Sequence, residues 1–252
     1  MRFCSIHRAS GLLIVTLTAL LLAPASASAQ QREIRFDDVA RAAGVDFLHE
    51  IGAEGRTHLP ETMGSGLAWI DYDNDGHHDL YFVQSGDLPG HGRFGSPEQP
   101  GNVMYRNRGD GTFRQVTTGA EDRGYGQSVT AADYDGDGWI DVFVGNFGTN
   151  ALYRNNGDGT FTLQEDTGVE DPRWAASAAW GDVDDDGLPD LFVTNYLVYD
   201  IETAIFCGEQ DRNVYSYCHV DLFDGEEDEL YRNRGDGTFE QMAATAGVAN
   251  AF

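Results

Sequence analysis

Three times along the chain, four aspartates fall at the spacing D-x-D-x-D-G-x-x-D. They are Asp71, Asp73, Asp75 and Asp79; Asp133, Asp135, Asp137 and Asp141; and Asp182, Asp184, Asp186 and Asp190. Acids at alternate positions of a loop that curls around a centre turn their carboxylates inward, and Gly76, Gly138 and Gly187 permit the sharp bend. The seventh position changes from His77 to Trp139 to Leu188, which suits a residue lending only its backbone carbonyl. Hard oxygen donors in a flexible loop select calcium over magnesium or zinc, so the pattern predicts about three calcium ions. A plain acidic turn facing water is the alternative, and recurrence of the whole pattern speaks against it. His77 and His78 raise a zinc reading, but adjacent loop histidines more often face water. An EF-hand shares the opening of the motif, yet it needs a Glu at the twelfth position, where this chain has Phe82, Val144 and Val193.

Loops of this kind need strands to hold them, and the apolar runs that follow each loop ("DLYFV", "DVFVGN", "DLFVTN") read as strands. A second repeated stretch comes next: "NVMYRNRGDGTF" from Asn102, "ALYRNNGDGTF" from Ala151 and "ELYRNRGDGTF" from Glu229. Alternation, a Gly-Asp-Gly turn and renewed alternation signal a hairpin. Each repeat thus holds four short antiparallel strands, which predicts an all-β fold of β-propeller blades. The blades are expected at about 64–125, 126–176 and 177–252. The unequal spacing of the loops comes from inserts at 84–101 and 196–228, both between the second and third strands. Because connections alternate faces, the aspartate loops and Gly-Asp-Gly hairpins share one face, while the inserts and the links between blades share the other. Insertions on one face of a repeat protein often mark its binding face.

The stretch "IRFDDVARAAGVDF" from Ile34 echoes "GTFEQMAATAGVANAF" at the far end, so residues 30–63 are expected to carry an outer strand that closes the propeller. Three blades are fewer than the four or more a propeller typically has, which leads to the expectation of a fragment of a longer protein.

The first 29 residues pair Arg2 and Arg8 with an apolar run from Gly11 to Ala23 and a small-residue Ala27-Ser28-Ala29 end. This is the layout of a cleaved signal peptide, too short for a spanning helix of about 20 residues. Export implies an oxidising compartment, where the two remaining cysteines, Cys207 and Cys218, are expected to pair. With 42 acidic and 16 basic residues, a formal net charge of −26 excludes nucleic acid and anionic membrane surfaces as natural partners. Every basic residue is arginine, so no Walker A loop, Schiff-base lysine or Ser-Lys dyad exists within the chain. The twelve loop aspartates repel one another when empty, and three divalent ions return half of that charge, so metal binding and folding should be linked.

The aspartate loops together with "NFGTN" and "LYRNNGDGTF" resemble the FG-GAP or VCBS repeats of integrin-α-like β-propellers. More narrowly, "FDDVARAAGVDFLHE", "ETMGSGLAWIDYDNDG" and the cysteine-bearing insert resemble the ASPIC/UnbV, cartilage acidic protein-like group. The resemblance implies a calcium-bearing propeller, commonly seven-bladed, followed by a further C-terminal domain, and it leaves the biochemical role open. The reading that follows is an exported calcium-binding module for a protein or glycan ligand. Candidate contacts on the insert face are His91, Arg93, Arg123, Tyr125, Arg173, Trp174, Tyr215 and Tyr217, since aromatics and arginine dominate binding hot spots. The alternatives are a non-catalytic part of an enzyme acting on sugars or lipids, or a structural fragment. "HEIGA" from His49 lacks the second histidine of a zinc protease, and no G-x-S-x-G elbow is present.

Overall fold

Alternating apolar residues and glycine-bearing turns organise the chain, in a computed structural model that describes residues 35–249, into three four-stranded antiparallel sheets. The expected signal peptide, residues 1–29, lies outside the described residues. The first sheet runs β1 (Leu67–Ile70), β2 (Asp79–Phe82), β3 (Val103–Asn107) and β4 (Phe113–Val116). The second runs β5 (Tyr125–Ala132), β6 (Asp141–Phe147), β7 (Ala151–Asn155) and β8 (Phe161–Gln164). In the third, β9 (Ala175–Gly181) and β10 (Asp190–Asn195) precede an insert containing a small hairpin, β11 (Gly208–Glu209) and β12 (Val214–Tyr215). Strands β13 (Glu229–Asn233) and β14 (Phe239–Gln241) then complete the sheet, in the spatial order β14-β13-β10-β9. These are blades of the propeller kind, and the chain is all-β as its sequence predicts. The second and third blades begin at Tyr125 and Ala175, slightly ahead of the expected boundaries.

Strand β6 is buried at every position, because it lies between two neighbouring blades. Val142 and Val144 join Tyr81, Val83 and Met104 of the first blade in one core cluster. Phe143, pointing the other way, joins Leu191, Val193 and Tyr231 of the third blade in another. A strand apolar on both faces is what sandwiching requires. In the outer strands β8 and β14 the residues after the leading aromatic are mostly exposed, while Phe161 and Phe239 are 5% and 4% exposed and anchor the hairpin turns to the core.

The links between blades close on the same atoms each time. Phe161 N donates to Thr118 O at 2.7 Å and Phe239 N to Thr167 O at 2.8 Å. Gly119 and Gly168 follow those carbonyls at φ +90° and +93°, where a Cβ would stand 2.6 and 2.8 Å from the carbonyl oxygens of Phe161 and Phe239. Only glycine fits.

This joint corrects the expectation for residues 30–63. Among the described residues 35–63 there is no strand; the one regular element is a 3-10 helix at Leu59–Thr62. The "AAGV" stretch is a turn, Ala43 O accepts from Phe113 N at 2.7 Å, and Gly44 at φ +83° presses on the Phe113 carbonyl. The echo between the two stretches thus stops at the glycine turn: "GTFEQM" carries the outer strand β14, whereas residues 35–39 form no strand. Phe47 continues from that turn to stack on Phe82, with ring centroids 4.6 Å apart.

Candidate functional site

Within each aspartate loop the carboxylates divide into two pairs held by different partners. First-position acids are gripped by the turn they begin: Asp71 accepts from Asp75 N at 3.1 Å and Gly76 N at 3.0 Å, Asp133 from Asp137 N and Gly138 N, and Asp182 from Asp186 N and Gly187 N. Ninth-position acids open the second strand of each blade and are almost wholly buried, with Asp79, Asp141 and Asp190 at 0%, 0% and 1% exposure. Each accepts two backbone N–H groups, as Asp141 does from Asn155 N at 2.7 Å and Tyr134 N at 3.1 Å. Burial pushes the Asp79 carboxyl up to about 6 and that of Asp141 up to about 7, against the pull of those N–H groups.

Third- and fifth-position acids face the arginine of the "YRN" stretch. Arg106 pairs with Asp73 and Asp75, Arg154 with Asp135 and Asp137, and Arg232 with Asp184 and Asp186. Fifth-position carboxylates also take the seventh-position N–H, for example His77 N to Asp75 at 3.0 Å.

Carboxylate oxygens of the first, third and ninth positions lie within 4.8 Å of one another in all three loops: Asp71, Asp73 and Asp79; Asp133, Asp135 and Asp141; Asp182, Asp184 and Asp190. Asp73 Oδ1 is buried without a hydrogen-bond partner. An all-oxygen donor set with an unpartnered oxygen fits a hard divalent cation. Asp75, Asp137 and Asp186 stand outside these close groups. The seventh-position side chains have a packing role that spacing did not reveal. His77, Trp139 and Leu188 lie over Gly109, Gly157 and Gly235, where a Cβ would come within 2.7 to 3.0 Å of them. His77 is thereby placed against its own hairpin.

The asparagine of "YRN", for which the spacing offers no role, ties loops together. Asn155 Nδ2 donates to Tyr72 O of the preceding loop at 2.8 Å, and Asn233 Nδ2 to Tyr134 O at 2.8 Å. Its repetition two residues after each apolar pair, as in Leu152-Tyr153-Arg154-Asn155, was the available signal.

On the opposite face, Cys207 and Cys218 form a disulfide. Both inserts stand where expected, and beneath them lies a separate apolar cluster of Leu59, Leu88, Tyr125, Phe147, Trp174 and Leu197. That cluster corrects two candidate contacts. Tyr125 is fully buried with its hydroxyl on Ile51 O, and Trp174 is 2% exposed between Phe147, Tyr196 and Tyr199. Both are packing residues, because the inserts need a floor. Arg93 is clamped by Asp87 and Glu50, His91 pairs with Glu54, and Arg123 donates to Gln99 O and Glu121 O. Arg173 is paired with Asp171 and Glu229 and borders a cleft of about 450 Å³ with Leu197, Tyr199, Asp200 and Glu226. Tyr215 and Tyr217 are 38% and 45% exposed on the disulfide insert, Tyr217 reaching Glu61. His49 Nε2 lies 2.9 Å from Ser85 Oγ, but Ser85 is fully buried and its hydroxyl donates to Gly126 O, so the pair braces the backbone.

Residues 71–144 and 133–193 each match the FG-GAP-like repeat, every match running from the first aspartate of one loop to the second strand of the next blade. The chain carries FG-GAP-like repeats. No curated protein matches the sequence. Among solved structures, an Agrocybe aegerita lectin described as recognising non-reducing terminal N-acetylglucosamine is similar at 17% identity and a TM-score of 0.35. The match covers 69% of this chain and 50% of that one, so the chain spans half the lectin's length. At this level of likeness the lectin's ligand says nothing about the FG-GAP-like chain.

Proposed function

We propose that the FG-GAP-like chain is an exported, calcium-stabilised β-propeller module, of the ASPIC/UnbV kind, that binds a protein or glycan ligand through its insert face. The observation that carries this reading is the division of labour between the faces. Three oxygen-lined loops of one design occupy one face, and two inserts with a polar-edged cleft and exposed Tyr215 and Tyr217 occupy the other. Asp71, Asp73 and Asp79 and their counterparts would hold calcium, whose chemistry here is charge neutralisation among carboxylates. Further blades of the same kind are the proposed neighbours of the third blade. Val183 stands where Tyr72 and Tyr134 accept an asparagine, is 56% exposed, and has no asparagine bonded to its carbonyl among the described residues.

Export is supported by the leader-like first 29 residues and by the disulfide. Among the described residues no helix is long and apolar enough to cross a membrane. A glycan array, with a companion array of extracellular-matrix proteins, tests the binding reading at millimolar calcium. Binding is expected to fall on Tyr215→Ala with Tyr217→Ala, and silence on both arrays would end it.

A further inference from the structure

Metal loops built only of acids should be hard to fold without their ion, yet in each loop a guanidinium stands on the outer pair of carboxylates. Arg106 Nε lies 2.6 Å from Asp73 Oδ2 and its Nη2 3.2 Å from Asp75 Oδ2. Arg154 makes the same pairs with Asp135 Oδ2 and Asp137 Oδ2 at 2.5 and 2.7 Å, and Arg232 with Asp184 Oδ2 and Asp186 Oδ2 at 2.6 and 3.8 Å. The same two nitrogens meet the same two oxygens in all three blades, although positions two, four, seven and eight of the loops differ.

The placement follows from strand geometry. In β3, β7 and β13 the tyrosine and asparagine flanking the arginine point to the opposite face of the strand. The asparagine N–H is fixed on the ninth-position aspartate at 2.7 to 2.8 Å. Arginine therefore emerges beside the loop in a fixed register. It completes a division among the acids: first and ninth positions are held by backbone N–H groups, while third and fifth positions carry the guanidinium on Oδ2 in addition to such N–H bonds on Oδ1 as that of His77 to Asp75. The guanidinium uses only the Oδ2 atoms, and Asp73 Oδ1 is left without a partner. A forked guanidinium can bridge two carboxylates in this way, which a point-charge ammonium cannot do as well.

We propose that Arg106, Arg154 and Arg232 are tethered cations that hold the third- and fifth-position carboxylates in the metal-free loops and thereby lower the loops' calcium affinity. The inference rests on the calcium reading above. A positive charge at ion-pair distance from two aspartates relieves their mutual repulsion in the metal-free fold. The same charge repels a divalent ion seated among those aspartates. By linkage, whatever the arginine adds to the metal-free state beyond what it adds to the loaded state is subtracted from the affinity. The arginines are positioning residues that set how strongly folding depends on calcium.

Calcium titration by calorimetry and thermal unfolding in chelator and in saturating calcium, on the whole chain, test this with Arg154→Gln. One site is expected to tighten by about three- to ten-fold, since the pairs are partly exposed and screened. The melting temperature should fall further in chelator than in calcium. Arg154→Lys, which keeps the charge and loses the fork, should lie between the two proteins in both readouts. If Arg154→Gln does not fold without calcium, Arg154→Lys carries the titration with the same direction required. Calcium affinity unchanged or weaker in the variants overturns the tethered-cation role. An absence of calcium binding by the unmodified chain at millimolar calcium is a separate result, which overturns the calcium reading and this inference with it.

Discussion

The aspartate-loop face and the insert face are built on opposite principles. On the loop face, stability is repeated and mostly local: within each loop a carboxylate accepts N–H groups two to seven residues away, one asparagine N–H of the same blade is added from further on, and the same bonds recur in blades one, two and three. On the insert face the blade links recur, as at Thr118 and Thr167, but the packing beneath the inserts does not. Leu59 near one end of the chain, Tyr125 and Trp174 at two blade edges and Leu197 in the second insert converge in a single cluster. Local hydrogen bonding tolerates wide changes in the residues between the acids, so His77, Trp139 and Leu188 can share one structural position. Convergent packing tolerates little change, but it can be rebuilt around any insert. One face preserves a scaffold, and the other is free to vary its surface.

The sharpest way to break this contrast is to remove the acid on which the loop and the next strand both depend. Asp141→Ala deletes the acceptor of Asn155 N and Tyr134 N, both buried. Two unsatisfied buried donors should cost about 3–5 kcal/mol in urea unfolding. Asp137→Ala, at an exposed position whose partners are Arg154 and the Trp139 N–H, should cost about 1 kcal/mol or less in chelator. Equal losses would mean that the loops are held by charge and that backbone geometry is secondary.

A smaller effect is expected on the other face. Replacing Cys207 and Cys218 with serine releases a short loop, and the chain-entropy estimate for one of its length is about 3 kcal/mol at most. The insert rests on the blades through side-chain contacts, so the loss should stay local. Hydrogen exchange at Ser216, which donates to Cys207 O, should quicken while the amides of β6 and β10 keep their protection. A matching loss of protection in β6 would show that the two faces unfold as one.

The same contrast explains what could be read from the chain directly. Asp71 to Asp79 and "YRNRGDGTF" are legible because their bonds join residues close in sequence, so spacing alone carries the geometry. Insert positions at 84–101 and 196–228 were legible for the same reason, as interruptions of a period. The fates of Tyr125 and Trp174 were not, since an aromatic beside a loop reads equally well as a contact or as a floor until the distant Leu59, Leu88 and Leu197 are in place. The outer strand expected in residues 30–63 does not form among the described residues, where "AAGV" turns to meet Phe113, and that partner lies about seventy positions further on. The Arg106, Arg154 and Arg232 clamps were missed because alternation marks those arginines as outward-facing and does not say what they face.

A final comparison lies within the insert face, between two blade links of the same design. Asp171 carries Arg173 on its carboxylate and also meets the Tyr231 hydroxyl. Asp122, its counterpart one blade earlier, has Asn146 Nδ2 at 3.0 Å and the Tyr153 hydroxyl at 3.2 Å but no arginine, since Arg123 turns to Gln99 O. Burial raises the Asp122 carboxyl above its ordinary value, with the hydrogen bonds from Asn146 and Tyr153 opposing. The folded chain therefore holds this proton more tightly than the unfolded chain. Its contribution to stability is fully present below the unfolded carboxyl's pKa of about 4 and is lost as pH rises through the raised folded value. Asp122→Asn removes the titrating group, and its amide can point at the Tyr153 hydroxyl, which can accept as well as donate. Urea unfolding at fixed saturating calcium should show stability falling more steeply with pH above about 4 in the unmodified chain than in the variant, an effect smaller than that of opening the disulfide. Parallel curves would mean that the Asp122 proton is not linked to folding, and that the missing arginine makes no difference to the link.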